Sequence, residues 1–395
     1  MAVSLLSHEV SDLCIGKPAL RALPISATVG EALLALRRSG DTHLSVWNPD
    51  RSTPEKKTCA GKICMVDILC YLCSEECVAS PLSALKNPVS ALLSKEAPAL
   101  VRRVEKHWSV LEALNVILDG AHILLVPIRS AASSRKKLHH LHHGGSVVAG
   151  DFCLLTQEGF ARFFFNSISS FSPIATLSVT QLGLVRSDGV LAVHYHDPAL
   201  SALPLIRRAL MDQTSVAVVT DDRKLIGEIS PFTLAGCDES VAAALAALSA
   251  GDLMAYIDWC VPPPEAVVRA IKSILKEKGL QGMVALIDEE LSPPLFSSSS
   301  STSSSSEDEV DGLSGRRRTR SMGRSGSYSA RMGRKAEEAI VCHPGSSLVA
   351  VMVQALAHRV GYVWVVEEDY GLVGIVVLRD ILKACRDQLD QYRCL

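Results

Sequence analysis

Four times along this chain an amphipathic helix is followed, at a nearly constant distance, by a short apolar strand. The helices are EALLALRRS (31–39), LEALNVIL (111–118), LSALPLIRRAL (200–210) and LVAVMVQALAH (348–358). Each carries apolar residues three and four apart, the mark of one buried face. With Leu33, Leu114, Leu203 and Met352 as helix references, the strand references Val46, Ile128, Val218 and Val365 follow at 13, 14, 15 and 13 residues. Separations this regular are internal repetition, and a repeated supersecondary unit limits the fold more tightly than composition can. A second strand running into a second helix closes each unit: GKICMV (61–66), FCLLT (152–156), KLIGEIS (224–230) and LVGIVVL (372–378). Gly227 and Gly374 stand nine residues after their strand references, behind acidic turns that suit hairpin loops. The repeat therefore predicts an α/β (α+β) chain built from four β-α-β-β-α units.

Two segments interrupt the repeat. Residues 297–306 are nine serines and one threonine, followed by Glu307, Asp308, Glu309 and Asp311, then by an acid-free basic run from Gly315 to Lys335. Such a stretch buries too little apolar surface to offset its ordering entropy, so 291–336 reads as a long disordered linker. Ser130 to Ser146 holds RKKLHHLHHGG and reads as a solvated, His-rich loop inserted in the second unit. Between the third and fourth units, residues 237–290 predict helices split by Pro262, Pro263 and Pro264.

Composition excludes several classes. Forty basic and 42 acidic side chains give a formal net charge of −2, without the basic surplus that phosphate contacts require. Twelve cysteines in 395 residues are too sparse for a disulfide scaffold and read as reduced thiols. Val241 to Ala250 is the most apolar run, far short of the roughly 20 residues that span a bilayer. His8, Glu9 and Asp12 break the apolar start before a leader core forms. The expected setting is the cytoplasm, with the nucleus as an alternative suggested by RRRTR (316–320).

The closing phrase of each unit, G-h-h-[ST]-x-x-D with h apolar, carries a family resemblance. It is clearest in GKICMVDIL (61–69) and GIVVLRDIL (374–382). The units resemble CBS domains, and the chain as a whole, from MAVSLLSHEVSDLCIGKPAL onward, is similar to the plant CBS-domain-containing proteins of the CBSX group. The boundaries are 14–73, 93–166 (with the 130–146 insertion), 173–236 and 337–390, with 237–290 a helical connector. The resemblance implies that adjacent units pair through their sheets into two Bateman-type modules. It also implies clefts for an adenosine-type ligand (AMP, ADP, ATP or S-adenosylmethionine), with the [ST] hydroxyl on phosphate and the Asp on the ribose diol. The chemistry is sound: a hydroxyl at a strand-to-helix turn stands beside amides that favour anions, and a carboxylate accepts two hydrogen bonds from a diol.

The candidate ligand residues are thus Asp67, Thr156, Ser230 and Asp380, and each unit keeps only half of the motif. Cys64 replaces the hydroxyl in the first unit and Val377 in the fourth; Gly159 replaces the acid in the second and Thr233 in the third. The same residues also read as helix caps, since Ser/Thr followed by an acid three positions later is a capping box. Both readings stay open at this level.

Other groups carry weaker signals. Cys59, Cys64, Cys70, Cys73 and Cys77 crowd into 19 residues, yet no second pair completes a zinc site, and core packing is the favoured reading. His139, His140, His142 and His143 sit in the solvated loop, and His194 and His196 offer two ligands without a third. In the linker, Thr319, Ser321 and Ser327 each follow an arginine by three residues and are candidate phosphorylation sites. The chain lacks G-x-x-x-x-G-K-[ST], H-E-x-x-H, G-x-S-x-G and G-x-G-x-x-G, so a non-enzymatic protein is expected. Two functions follow. One senses an adenosine-type ligand and modulates a partner, such as a kinase or another regulated enzyme. The other is a ligand-free scaffold or interaction protein, set by analogy in a kinase complex as its regulatory subunit. Neither calls for nucleic acid or membrane, and CBS modules allow homo-oligomers.

Overall fold

Thr28, Ser109 and Ser347 stand where the first helix of a unit begins, and each side-chain oxygen accepts a backbone N–H one turn on, from Glu31, Glu112 and Ala350 at 3.1–3.3 Å. Glu31 and Glu112 reach back to the capping residue's own amide, closing a reciprocal box. Gly40, Gln213 and Arg359 end three of these helices in the left-handed conformation, which releases the chain into the next strand.

The computed structural model describes residues 5, 7–48, 58–94, 97–127, 148–149, 152–258, 263–290 and 339–393. Its strands are β1 (Arg21–Pro24), β2 (Leu44–Asn48), β3 (Thr58–Ile63), β4 (Val101–Arg103), β5 (Ile123–Pro127), β6 (Val148–Ala149), β7 (Phe152–Leu155), β8 (Ala192–His194), β9 (Val216–Val219), β10 (Leu225–Ile229), β11 (Val341–Cys342), β12 (Tyr362–Val366) and β13 (Leu372–Val377). They form four small sheets, β3-β2-β1-β6, β4-β5-β7, β10-β9-β8 and β11-β12-β13. In each unit the lead-in strand runs parallel to the next one, which pairs antiparallel with the third. A parallel pair needs a crossover, and the amphipathic helix supplies it.

Register corrects one sequence expectation. Val46, Val218 and Val365 pair with Gly61, Gly227 and Gly374. In the second unit the equivalent pair is Val126 with Cys153. Ile128 is therefore two residues past the reference position and falls outside the described residues. The Val110–Leu118 helix is shorter than Val29–Ser39, and its strand position Val126 follows Leu114 at 12 residues, one fewer than in units 1 and 4, against the 14 expected for Ile128.

The units meet in two ways. Units 1 and 2 join through their sheets, where Leu20, Ile123 and Leu125 are buried and Trp47 stacks on Phe152 at 5.5 Å between centroids. Units 3 and 4 join likewise, with Tyr362 and Trp364 of β12 bonded to Glu228 of β10. The helices make the complementary contacts. The Met65–Leu72 helix of unit 1 packs on Leu203–Asp212 of unit 3, and Gln157–Asn166 of unit 2 packs on Leu348–His358 and Leu378–Arg393 of unit 4. One apolar core accordingly joins units 1 and 3 and another joins units 2 and 4.

Residues 237–290 belong to the first of these cores. Helices Ser240–Ala247, Ala250–Asp258, Glu265–Glu277 and Gln281–Glu290 fold against units 1 and 3. Val241 through Ala247 are buried without a break, so this short helix has no solvent face and shows no amphipathic period.

Candidate functional site

The four strand-to-helix turns carry the candidate ligand residues, and the structure gives each a different neighbourhood. In unit 1, Asp67 Oδ2 accepts the Cys64 amide at 2.7 Å and so caps its own helix, Met65–Leu72. Burial pushes its carboxyl upward, against the pull of the Cys64 bond and of Lys62. Cys64, in the hydroxyl position, is 2% exposed, and burial holds its thiol well above the ordinary range.

In unit 3, Ser230 is 2% exposed and its Oγ accepts the Phe232 amide at 3.2 Å. Tyr362 Oη of unit 4 lies 2.8 Å from that Oγ and 2.8 Å from Glu228 Oε1. Trp364 Nε1 donates to Glu228 Oε2 at 2.6 Å. Burial, and next the Glu228 charge, raise the Tyr362 phenol well above its usual pKa, keeping it a neutral donor. The hydroxyl of unit 3 is thus bonded to the sheet of unit 4.

In unit 4, Asp380 takes a two-pronged contact from Arg186: Nε to Oδ2 and Nη2 to Oδ1, both at 2.6 Å. Paired forks of this kind are the strongest carboxylate contacts that arginine makes. Arg186 lies in the segment leading into unit 3. Its backbone exchanges two hydrogen bonds with Ile375, each 2.9 Å. Gly374 permits this approach, since a Cβ there would stand 2.4 Å from the Arg186 carbonyl oxygen. The acid that the resemblance assigns to a ribose is held by the protein's own guanidinium.

Unit 2 differs. Thr156 precedes the Gln157–Asn166 helix, and its side chain makes no capping bond. Gly159 leaves the acid position bare. Lys17, from the segment leading into unit 1, bonds the Leu154 carbonyl at 3.2 Å, and its Nζ lies 3.1 Å from where a Cβ on residue 159 would be. Lys17 and Arg186 are therefore counterparts: the lead-ins of units 1 and 3 each send one cation to the turn of the unit they pair with, 2 and 4 respectively. Sequence reasoning missed both, because neither falls inside a repeat motif.

The remaining candidates divide simply. Cys64, Cys70, Cys73 and Cys77 are buried in the core shared by units 1 and 3. Cys73 donates its thiol to the Ala242 carbonyl, and burial raises the Cys70 thiol to about 12. Among the described residues no three His, Cys, Asp or Glu side chains gather as a metal site requires. His139, His140, His142, His143, Thr319, Ser321 and Ser327 lie outside the described residues. Among those described, no helix is long and apolar enough to cross a membrane.

Four β-α-β-β-α units joined through their sheets, each closing in a turn that bears part of G-h-h-[ST]-x-x-D, define a protein of four CBS repeats. The family model described as CBS domain matches residues 335–387. The chain is 46% identical to the CBS domain-containing protein CBSX5 of Arabidopsis thaliana over 407 residues, covering 99% of both chains. It is 28% identical to CBSX6 of the same plant over 438 residues, covering 98% of this chain and 95% of that one. The chain belongs to the CBS domain-containing proteins of the plant CBSX group. It is also related, at 21% identity over 98% of its length and 96% of the relative's, to the Arabidopsis SNF1-related protein kinase regulatory subunit gamma-like PV42b. The fold is similar to that of MJ1225 from Methanocaldococcus jannaschii, described as a putative archaeal homolog of g-AMPK, with TM-score 0.53, 14% identity, and 95% of this chain and 99% of that chain covered.

Proposed function

We propose that this protein is a non-catalytic regulatory scaffold that presents four CBS units to a protein kinase of the SNF1-related type, without adenosine nucleotides as its signal. The observation that carries this reading is the Arg186–Asp380 fork. A ribose diol reaching Asp380 would have to displace a bidentate guanidinium, and that exchange offers little net gain. Two further turns are likewise committed to internal bonds, Asp67 as a cap and Ser230 to Tyr362. The Arg186–Asp380 and Tyr362–Ser230 contacts tie units 3 and 4 together, which suits a surface read by a partner. Support for a kinase partner comes from the gamma-like relatives, and its setting would be the cytoplasm or nucleus.

The test is reconstitution with the catalytic subunit of a plant SNF1-related kinase. The expected result is a complex that survives size-exclusion chromatography and is unchanged by AMP, ADP, ATP or S-adenosylmethionine. Failure to associate with the kinase, or a complex whose formation follows nucleotide concentration, contradicts the scaffold reading.

A further inference from the structure

In units 1, 3 and 4 a glycine stands opposite the central strand, at 61, 227 and 374, and at 374 it lets the lead-in of unit 3 lie against the sheet. Unit 2 puts Cys153 there, paired with Val126. The lead-in of unit 1 passes the same way: the Leu20 amide donates to the Phe152 carbonyl at 2.8 Å, and Lys17 Nζ donates to the Leu154 carbonyl at 3.2 Å. These two bonds bracket residue 153. What the Cys153 side chain meets is Cys14, and the two thiols share a hydrogen bond. Cys153 is buried, Cys14 is half-buried, and its neighbour Ile15 is 81% exposed, so the pair lies just under the surface.

Other thiols are placed differently. Cys64, Cys70, Cys73, Cys342 and Cys385 are buried, and burial raises each of them above the ordinary thiol range. Cys59 and Cys237, partly exposed, donate to the Gly61 and Thr233 carbonyls at 3.4 and 3.5 Å. At Cys153 the hydrogen bond from Cys14, with the Lys17 charge adding to it, outweighs burial and holds the thiol at about 7, while Cys14 keeps its proton. The thiolate is the nucleophilic form of cysteine, and a neighbouring cation sustains it.

We propose that Cys14 and Cys153 are a modification site, which forms a reversible disulfide when the chain meets a peroxide. The Cys153 sulfur attacks one peroxide oxygen; an S–O bond forms, the O–O bond breaks, and the leaving hydroxide takes up a proton as water. The Cys14 sulfur then attacks the sulfenic sulfur; an S–S bond replaces the S–O bond, and the departing hydroxide leaves with the Cys14 proton as a second water. Two electrons pass from the two sulfurs to the peroxide. The bridge joins the lead-in of unit 1 to β7 of unit 2 and closes a loop that contains all of unit 1. It gives the unit 2 side a covalent tie where unit 4 has the Arg186–Asp380 fork.

Treating the full chain with hydrogen peroxide, alkylating the remaining thiols and mapping the peptides without reduction tests it. The expected product is a Cys14–Cys153 peptide pair, lighter by two hydrogens than its parts and separated by dithiothreitol. The oxidised chain should also melt at a higher temperature, since the bridge restricts the unfolded chain. Cys14→Ser, at a half-buried position, should keep the fold, abolish the bridge and leave Cys153 as a sulfenic acid that dimedone traps. Lys17→Gln should slow bridging about threefold at pH 7, because the thiolate loses its nearby cation. A folded, peroxide-treated chain without the Cys14–Cys153 bridge, whether its thiols stay free or pair elsewhere, overturns the proposal. Neither result touches the scaffold reading, which the kinase reconstitution decides.

Discussion

The turns of units 2 and 4 begin from the same fold and end in opposite conditions. In unit 4 the acid survives, the hydroxyl is gone, and Arg186 from the neighbouring lead-in fastens on Asp380 at 2.6 Å. In unit 2 the hydroxyl survives, the acid is gone, and Lys17 from the equivalent lead-in points at the bare Gly159 and bonds a backbone carbonyl instead. The same device, one cation per lead-in, locks one turn and leaves the other unlatched. Motif residues in this fold thus make internal bonds of different reach: Asp380 holds the neighbouring lead-in, and Asp67 caps its own helix.

Acid titration should give the largest contrast between the two turns. His122, beside the unit 2 turn, is neutral in the fold with a pKa lowered to about 3, mainly by burial. The unfolded chain takes up a proton near pH 6.5 that the folded chain refuses. Stability is therefore full above that pH and falls as the pH drops toward 3, by up to roughly 5 kcal/mol at the acid end. Denaturant melts of His122→Gln should lose one proton's worth of this slope, and an unchanged slope would place the acid sensitivity elsewhere.

Breaking the unit 4 side needs only a methyl group. Gly374→Ala places a Cβ against the Arg186 carbonyl oxygen, so the lead-in must move, at a cost of about 1–3 kcal/mol. Cys153→Ala at the matching position of unit 2 loses less, because a side chain is already accommodated there. Tyr362→Phe removes the phenol that joins Glu228 and Ser230, and about 1–3 kcal/mol of stability should go with it. A melt showing Cys153→Ala to be more damaging than Gly374→Ala would reverse the comparison.

Arg186→Gln should cost less, about 0.5–1 kcal/mol, since the guanidinium is half exposed and solvent screens the pair. Its informative effect is on ligands, because it vacates Asp380. Smallest of all is Asp67→Asn. Burial raises the Asp67 carboxyl in the fold, so the native state gives up stability as pH rises from about 3.8 through the raised value. The amide keeps an oxygen for the Cys64 N–H without the buried charge. At pH 7 its melting temperature should match or slightly exceed that of the parent.

Much of this architecture could be read from residue order. Helix faces of period 3.6 and the glycines nine residues after Val218 and Val365 are local signals, and local signals survive in a sequence. The turns themselves were legible as positions: Asp67, Thr156, Ser230 and Asp380 all stand where strand gives way to helix. Their partners were not. Arg186 is 194 residues from Asp380, and Tyr362 is 132 from Ser230; no spacing rule spans such distances. The misplaced Ile128 shows the same limit at short range, since the shorter helix of unit 2 brings its strand one residue closer than in units 1 and 4, whereas Ile128 implies a spacing one residue longer. Val241–Ala247 was visible as an apolar run, yet a helix buried on every side has no period to reveal what surrounds it.

The central claim is that internal side chains occupy the places where an adenosine ligand would be held. Isothermal titration of the full chain with AMP, run beside Arg186→Gln, tests it most directly. The account predicts no saturable heat from the parent chain, with measurable binding, if any, confined to the variant. Saturable AMP binding by the parent, abolished by Asp380→Ala, would contradict it.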